Sequence, residues 1–251
     1  MTARKHRPQP LPAWVCWRSN LLQLPVLAMA TAVFGSMALV ASLGDRTGRW
    51  QHRIAQAWAR VSLWSAWSPL EVVGREHLRV RGPVVFACNH TSYMDTPVLF
   101  ATIPGQFRIL AKMELWKLPF IGWYLNRSGQ IPVDVSSARA ALSSLSGGVR
   151  ALREGMSVFV FPEGGRTPDG SLQKFENGAA YLAIRAQVPV VPIALSGVYD
   201  LLPMHTRHYW PTQLRMVVGE PIATAGMTVR EVDALTERIR GAIAGMMDAA
   251  E

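Results

Sequence analysis

From residue 70 onward, apolar runs of strand length alternate with stretches whose apolar positions recur at helical spacing. The expected strands are Leu70 to Val73, Val84 to Cys88, Phe107 to Ala111, Gln130 to Val133, Val158 to Phe161, Val190 to Leu195 and Leu214 to Val218. Helices are expected after His90, over about Leu115 to Leu125, from Ser137 to Arg153 with Gly155 as the stop, and from Asn177 to Ala186. A last one follows Thr228-x-x-Glu231, a capping-box pattern, and carries Val232, Leu235, Ile239 and Ile243 on one face. This alternation predicts an α/β fold, a largely parallel mixed sheet flanked by helices. Ligands of such folds gather at the carboxyl ends of the strands.

Before residue 70 the pattern changes. Leu21 to Leu43 is a stretch of 23 residues without a charge, long enough to cross a bilayer and longer than a signal-peptide apolar region. Next, Trp50, Ile54, Trp58, Val61 and Trp64 recur at spacings of 4, 4, 3 and 3, one stripe of a helix, while Arg53 and Arg60 fall elsewhere. A stripe of this kind packs on a core or lies in a membrane interface. Its place beside the apolar stretch, and the six of nine tryptophans in the first 67 residues, favour an interfacial helix over residues 50 to 67. The expected division is a basic tail with membrane-anchoring helices over 1–68, then a catalytic domain over 69–251.

Charge sharpens this division. Of the net charge of +9, residues 1 to 60 supply +7, with eight cations including Arg4, Lys5 and Arg7 against Asp45 alone. Cations that bracket an apolar span fit a membrane with anionic lipids and argue against nucleic acid as partner. Four Lys or Arg on each side of the span leave its orientation undecided and suit a segment that dips in and returns. Two cysteines, Cys16 and Cys88, are too few for a disulfide framework and indicate a reducing compartment.

Candidate chemistry lies where strands end. Asn89-His90-Thr91-Ser92-Tyr93-Met94-Asp95 follows the run Val84 to Cys88. Five residues along one helix turn the chain by about 500°, so His90 and Asp95 cannot meet on a continuous helix. They meet if His90 lies in the strand-to-helix turn, with Thr91 or Ser92 capping the helix and Asp95 about one turn in, reaching back to Nδ1. His90 Nε2 is then free to take a proton. A second strand runs into Pro162-Glu163-Gly164-Gly165-Arg166-Thr167, where Arg166 offers a fork for phosphate and the two glycines let backbone N–H groups approach an anion. The chain lacks G-x-S-x-G, a P-loop, G-x-G-x-x-G and H-E-x-x-H. His205 and His208 form an H-x-x-H without an acidic or Cys companion at ligand spacing, so they are read as loop residues and no metal is expected.

The His90 block, Lys112 to Gly122, Phe161-Pro162-Glu163-Gly164-x-Arg166 and Val188 to Ile193, in this order and spacing over about residues 70 to 225, resemble the glycerolipid acyltransferase family. Among its members are the bacterial 1-acylglycerol-3-phosphate acyltransferases. The resemblance implies transfer of a fatty acyl group from acyl-CoA or acyl carrier protein to the sn-2 hydroxyl of lysophosphatidic acid, with no cofactor beyond the acyl thioester. It implies His90 as general base, Asp95 as its support, Lys112 and Arg166 as holders of the acceptor phosphate, and Glu163, Gly164 and Gly165 shaping the same pocket. It also implies a membrane location at the cytoplasmic face of a bacterial inner membrane.

This sequence departs from the family pattern at two points. Val135 follows Asp134 where an arginine is often found, with Arg139 as a possible substitute, and Gly165 stands where Thr or Ser is usual. The missing cation keeps another lysolipid acceptor, such as a lyso-ornithine lipid, in view. The rival from another class is a non-catalytic membrane-binding module with this fold.

Overall fold

Strands that read as unbroken apolar runs belong in the middle of a sheet covered on both faces, and the chain places them there. The computed structural model describes residues 11–118, 121–134 and 136–249. The tail cations Arg4, Lys5 and Arg7, Val135 and the side chain of Arg139 lie outside the described residues. A helix runs over Ala13–Ala41 as α1 (Ala13–Arg18), a π turn (Ser19–Gln23) and α2 (Leu24–Ala41), followed by α3 (Arg49–Ala66). The sheet and its covering helices then follow as β1 (Leu70–Val73), β2 (Val85–Cys88), α4 (Asp95–Thr102), β3 (Phe107–Lys112), α5 (Ile121–Arg127), β4 (Ile131–Val133) and α6 (Ala138–Arg153). The chain ends with β5 (Ser157–Val160), α7 (Gly178–Ala186), β6 (Val190–Ser196), α8 (Val198–Leu201), β7 (Leu214–Val218) and α9 (Val232–Asp248).

The seven strands are ordered β1-β7-β6-β2-β5-β3-β4. All neighbours are parallel except β6 and β7, so β1 and β7 run against the other five. Every residue of β2 is buried. Phe86 and Cys88 join α3 and α4 in one core, while Val85 and Ala87 join α6, α7 and α9 in the other. Three helix ends match their sequence signals. Ser137 Oγ accepts from Ala140 N at 3.1 Å to open α6, and Gly155, at φ 87°, follows its end. Thr228 and Glu231 form the capping box before α9, whose Val232, Leu235, Ile239 and Ile243 are all buried.

Two expectations are corrected. The helix after His90 begins at Asp95, so neither Thr91 nor Ser92 caps it by side chain. Around Leu115 the chain forms a 3-10 turn over Met113–Lys117 and then α5, not one helix from 115 to 125.

The apolar N-terminal helix has a mean hydropathy of 2.0, yet only 11% of its most apolar window is buried. A core helix of that composition would be covered by protein. On α3 the face against the core carries His52 near its start and then small residues, Ala55, Ala59, Ser62 and Ala66, which let the helix approach α4 closely. Of the tryptophans in the stripe, Trp58 alone packs partly against the core. Trp58 Nε1 donates to Thr31 Oγ1 of α2 at 3.1 Å, and Trp50 and Trp64 are 58% and 72% exposed.

Polar groups fix this N-terminal pair to the rest of the protein. Gln23, buried in the π turn, donates to the carbonyls of Ser65 and Ala66 at 3.0 and 3.4 Å and accepts from Ser19 Oγ at 3.1 Å. Ser19 Oγ also accepts from Tyr209 N at 2.9 Å, and Arg18 donates to the Tyr209 carbonyl at 2.8 Å. A π turn frees backbone geometry in this way and often marks a working part of a helix. Farther along, Arg108 of β3 donates to the carbonyls of Thr47 and Ser128, tying the α2–α3 turn to the sheet.

Candidate active site

Parallel strands that end side by side deliver their following loops to one place. In β2 and β5, Ala87 pairs with Val160. Carrying that register three residues on sets His90 beside Glu163, and Glu163 Oε1 accepts from His90 N at 2.6 Å. Glu163 Oε2 accepts from Gln173 N at 2.8 Å. Both oxygens thus hold backbone, and Glu163 joins the two loops. Burial raises its pKa above that of an ordinary glutamate, opposed by the Gln173 and His90 N–H donors.

His90 Nδ1 lies 2.8 Å from Asp95 Oδ2, with the histidine side chain 12% exposed and the aspartate fully buried. The same oxygen accepts from Thr91 N at 2.6 Å and Ser92 N at 2.8 Å. Because Asp95 is the first residue of α4, its carboxylate folds back over the turn and collects these donors. With the proton on Nδ1 directed at the carboxylate, Nε2 is the free nitrogen of the ring. The imidazole is stacked on Phe161, centroids 3.7 Å apart and planes at 15°. Thr167 N donates to the His90 carbonyl at 3.0 Å. Asn89, fully buried, bonds both ways to the Leu195 backbone of β6, at 3.0 and 2.8 Å. The turn that carries His90 is therefore fixed from β5, β6 and α4 together.

Arg166 lies over the Tyr93 ring, its Cζ 3.9 Å from the centroid, and one of its terminal nitrogens is 3.8 Å from Met204 Sδ. Its Nε has no hydrogen-bond partner among the described residues. Gly164 has φ 68°, which favours glycine. A Cβ at Gly165 would meet nothing within 4 Å, so the departure at that position removes a hydroxyl without being required by space. Lys112 ends β3 at the same edge of the sheet, two strands from β2 and so roughly 10 Å across. It is exposed. Next to Tyr93 lies a mainly apolar cavity of about 300 Å³, walled by Leu24, Leu27, Trp58, Met94, Leu202 and Tyr209 and rimmed by Arg207.

Among the described residues, no group of three or more His, Cys, Asp or Glu is placed to hold a metal. His208 Nε2 sits 3.5 Å from Asn20 Nδ2. The Cys88 thiol is fully buried, and burial, with the charges of Asp95 and Glu163, pushes its pKa well up, which leaves it a poor nucleophile.

Such an arrangement can take a proton from a hydroxyl at Nε2, support the resulting imidazolium, and hold an anion nearby. Residues 69–196 match the family model described as Acyltransferase. The chain belongs to this acyltransferase family. Its curated relatives include the chloroplastic 1-acyl-sn-glycerol-3-phosphate acyltransferase of Arabidopsis thaliana, 30% identical over 80% of this chain and 55% of that protein. The alpha 1-acyl-sn-glycerol-3-phosphate acyltransferase of Homo sapiens is 34% identical over 68% of this chain and 61% of its own length. This acyltransferase-family chain thus spans somewhat over half the length of those relatives. Its fold is also that of the 1-acyl-sn-glycerophosphate acyltransferase PlsC from Thermotoga maritima, with a TM-score of 0.77, 24% identity, and 92% and 97% of the two chains covered.

Of the residues singled out from the sequence, the fold of this family member brings His90, Asp95, Glu163, Gly164, Gly165 and Arg166 together, and sets Lys112 at the margin. Three contributors carry no clear sequence signal. Phe161 as a platform for His90 and Tyr93 as a platform for Arg166 lie inside the motifs, yet an aromatic beside a motif is as often core. Met204 comes from a loop that no spacing connects to Arg166.

Proposed function

We propose that the protein is a membrane-associated O-acyltransferase that moves a fatty acyl group from a thioester to the sn-2 hydroxyl of lysophosphatidic acid, forming phosphatidic acid. The observation that carries this reading is the His90–Asp95 pair with Nε2 left free, at the strand ends and beside the Arg166 turn. In this mechanism His90 Nε2 takes the hydroxyl proton as the acceptor oxygen attacks the thioester carbonyl. The C–O bond forms, the tetrahedral intermediate collapses with cleavage of C–S, and the imidazolium returns its proton to the leaving thiolate. Asp95 supports the imidazolium while it exists. Arg166, held flat on Tyr93, grips the acceptor phosphate; Lys112 is its second cation. The cavity beside Tyr93 receives one acyl chain. What the relatives are named for, acylation of a 1-acyl-sn-glycerol-3-phosphate, agrees with this choice of acceptor.

The same reading puts the long N-terminal apolar helix in lipid, since so little of it is covered by protein, and the exposed cations Arg46, Arg49, Arg53 and Arg60 at anionic headgroups. Acyl thioesters are made inside the cell, so the site faces the cytoplasm. The test uses the purified full chain with labelled acyl-CoA or acyl carrier protein and a panel of lysolipids that includes lysophosphatidic acid and a lyso-ornithine lipid. Labelled phosphatidic acid is expected, lowered about 100- to 10,000-fold in His90→Ala. No transfer to any acceptor would overturn the enzymatic reading, and transfer to the lyso-ornithine lipid alone would overturn the choice of acceptor.

A further inference from the structure

We propose that the Met113–Lys117 turn and the start of α5 form a second membrane-inserting element, built into the catalytic part and seated in the same bilayer as α2. Met113, Leu115, Leu118, Ile121 and Trp123 are 37% to 58% exposed. Five apolar side chains within eleven positions make a patch, not scattered surface residues. The patch is rigid. Gly122 is packed so closely on the turn that a Cβ there would lie 2.2 Å from the Trp116 carbonyl oxygen, and Gly122 N donates to the Leu118 carbonyl at 2.8 Å. Tyr124, on the inner side of α5, packs against the main core.

Lipid is the occupant that the surroundings select. α5 packs directly on α2, the helix with hydropathy and exposure suited to a bilayer, so the patch lies beside that helix. A membrane that takes up the outer face of α2 meets the patch without any change of shape. Lys112 and Lys117 flank the turn and are exposed. From residue 112 to 127 the chain carries Lys112, Lys117 and Arg127 against Glu114 alone. Apolar and aromatic residues with cations at their margin fit the boundary between acyl chains and anionic headgroups. Seated this way, Lys112 stands at headgroup depth, where the phosphate of a lysolipid enters. The inference rests on the membrane reading given above and deepens it.

The test places single cysteines at positions 118, 121, 37 and 237 of the full chain, in a Cys16→Ser background; Cys88 is fully buried and stays unlabelled. Leu118 and Ile121 are exposed, which lets them carry a fluorophore sensitive to polarity. Met37 on α2 is the lipid control and Glu237 on α9 the aqueous one. With phosphatidylethanolamine–phosphatidylglycerol vesicles, labels at 118 and 121 are expected to shift to the blue and to be quenched by spin-labelled acyl chains as the label at 37 is. If 37 is quenched by those chains while 118 and 121 respond, like 237, only to aqueous iodide, the proposal is overturned and the membrane reading stands. If 37 also stays aqueous, both fall. Protection of 118 and 121 from iodide without vesicles would assign the face to a second copy of the chain and overturn the proposal.

Discussion

Replacing Asp95 by asparagine removes a charge and keeps the shape of the site. Oδ2 accepts from His90 Nδ1 at 2.8 Å and from the Thr91 and Ser92 N–H groups at 2.6 and 2.8 Å. An amide oxygen in the same place accepts the same three bonds. It cannot oppose the positive charge that develops on His90 as Nε2 takes a proton. For charges 2.8 Å apart at an effective dielectric of ~20, full imidazolium–carboxylate attraction is about 6 kcal/mol. Two N–H donors already draw on that oxygen, and the proton is only partly transferred at the transition state. A third to two thirds of the attraction, about 2 to 4 kcal/mol, is therefore expected in the barrier. The corresponding fall in kcat is about 30- to 900-fold. The assay is the initial rate of labelled acyl transfer to lysophosphatidic acid with both substrates saturating, run beside thermal unfolding. Because the hydrogen bonds survive in Asp95→Asn, its unfolding temperature should not fall, whereas Asp95→Ala strands two buried N–H groups and should lower it. A kcat for Asp95→Asn within about fivefold of the unaltered protein, a barrier change of only about 1 kcal/mol, would refute the charge argument.

Three further outcomes follow from buried polar groups. Glu163→Gln offers one acceptor to the two N–H donors of His90 and Gln173, a cost of about 1 to 3 kcal/mol; thermal unfolding should drop by about 2 to 10 °C, and an unchanged midpoint would show that the carboxylate does not hold the loops. Gln23→Leu leaves the Ser65 and Ala66 carbonyls and Ser19 without this partner, so unfolding in detergent should show a similar loss, and no loss would mean that the N-terminal helix is not held by this residue. His52, packed between Phe100 and Phe107, has its pKa lowered from 6.5 to about 4 by burial and then by the charge of Arg108. The unfolded chain binds this proton below about 6.5 and the folded protein only near 4, so stability falls as pH drops through that window, by about 3 kcal/mol in all. Unfolding midpoints against pH should flatten in His52→Leu; equal slopes in the two proteins would remove His52 as the cause.

What could be read from the sequence was what is local. Alternation and apolar runs placed the strands to within about a residue, since period 2 and period 3.6 are properties of the backbone itself. Ser137, Gly155 and the Thr228–Glu231 pair marked helix ends because caps act on their own turn. The His90–Asp95 spacing excluded a continuous helix and so required a turn, which the structure has. The start of α4 was placed wrongly because the Asp95 carboxylate gathers the Thr91 and Ser92 N–H groups, and side-chain capping by those residues is then not needed.

Other features depend on what meets across the fold. Alternation along β7 is the same in either direction, so its antiparallel pairing with β6 follows only from packing. The tryptophan stripe of α3 was visible as a stripe, but which face meets the core was decided by Ala55, Ala59 and Ala66, whose small size permits close approach to α4. The partners of the charged groups are likewise tertiary. Glu163 is bound to the backbone of two loops, Arg166 lies on Tyr93 against Met204, and Asn89 bridges to Leu195, 106 residues away. A residue's type and its near neighbours fix the chemistry it can offer and the backbone it prefers. Whether that chemistry is turned to a ligand or spent inside the protein depends on desolvation and on distant donors, which exist only once the chain has folded.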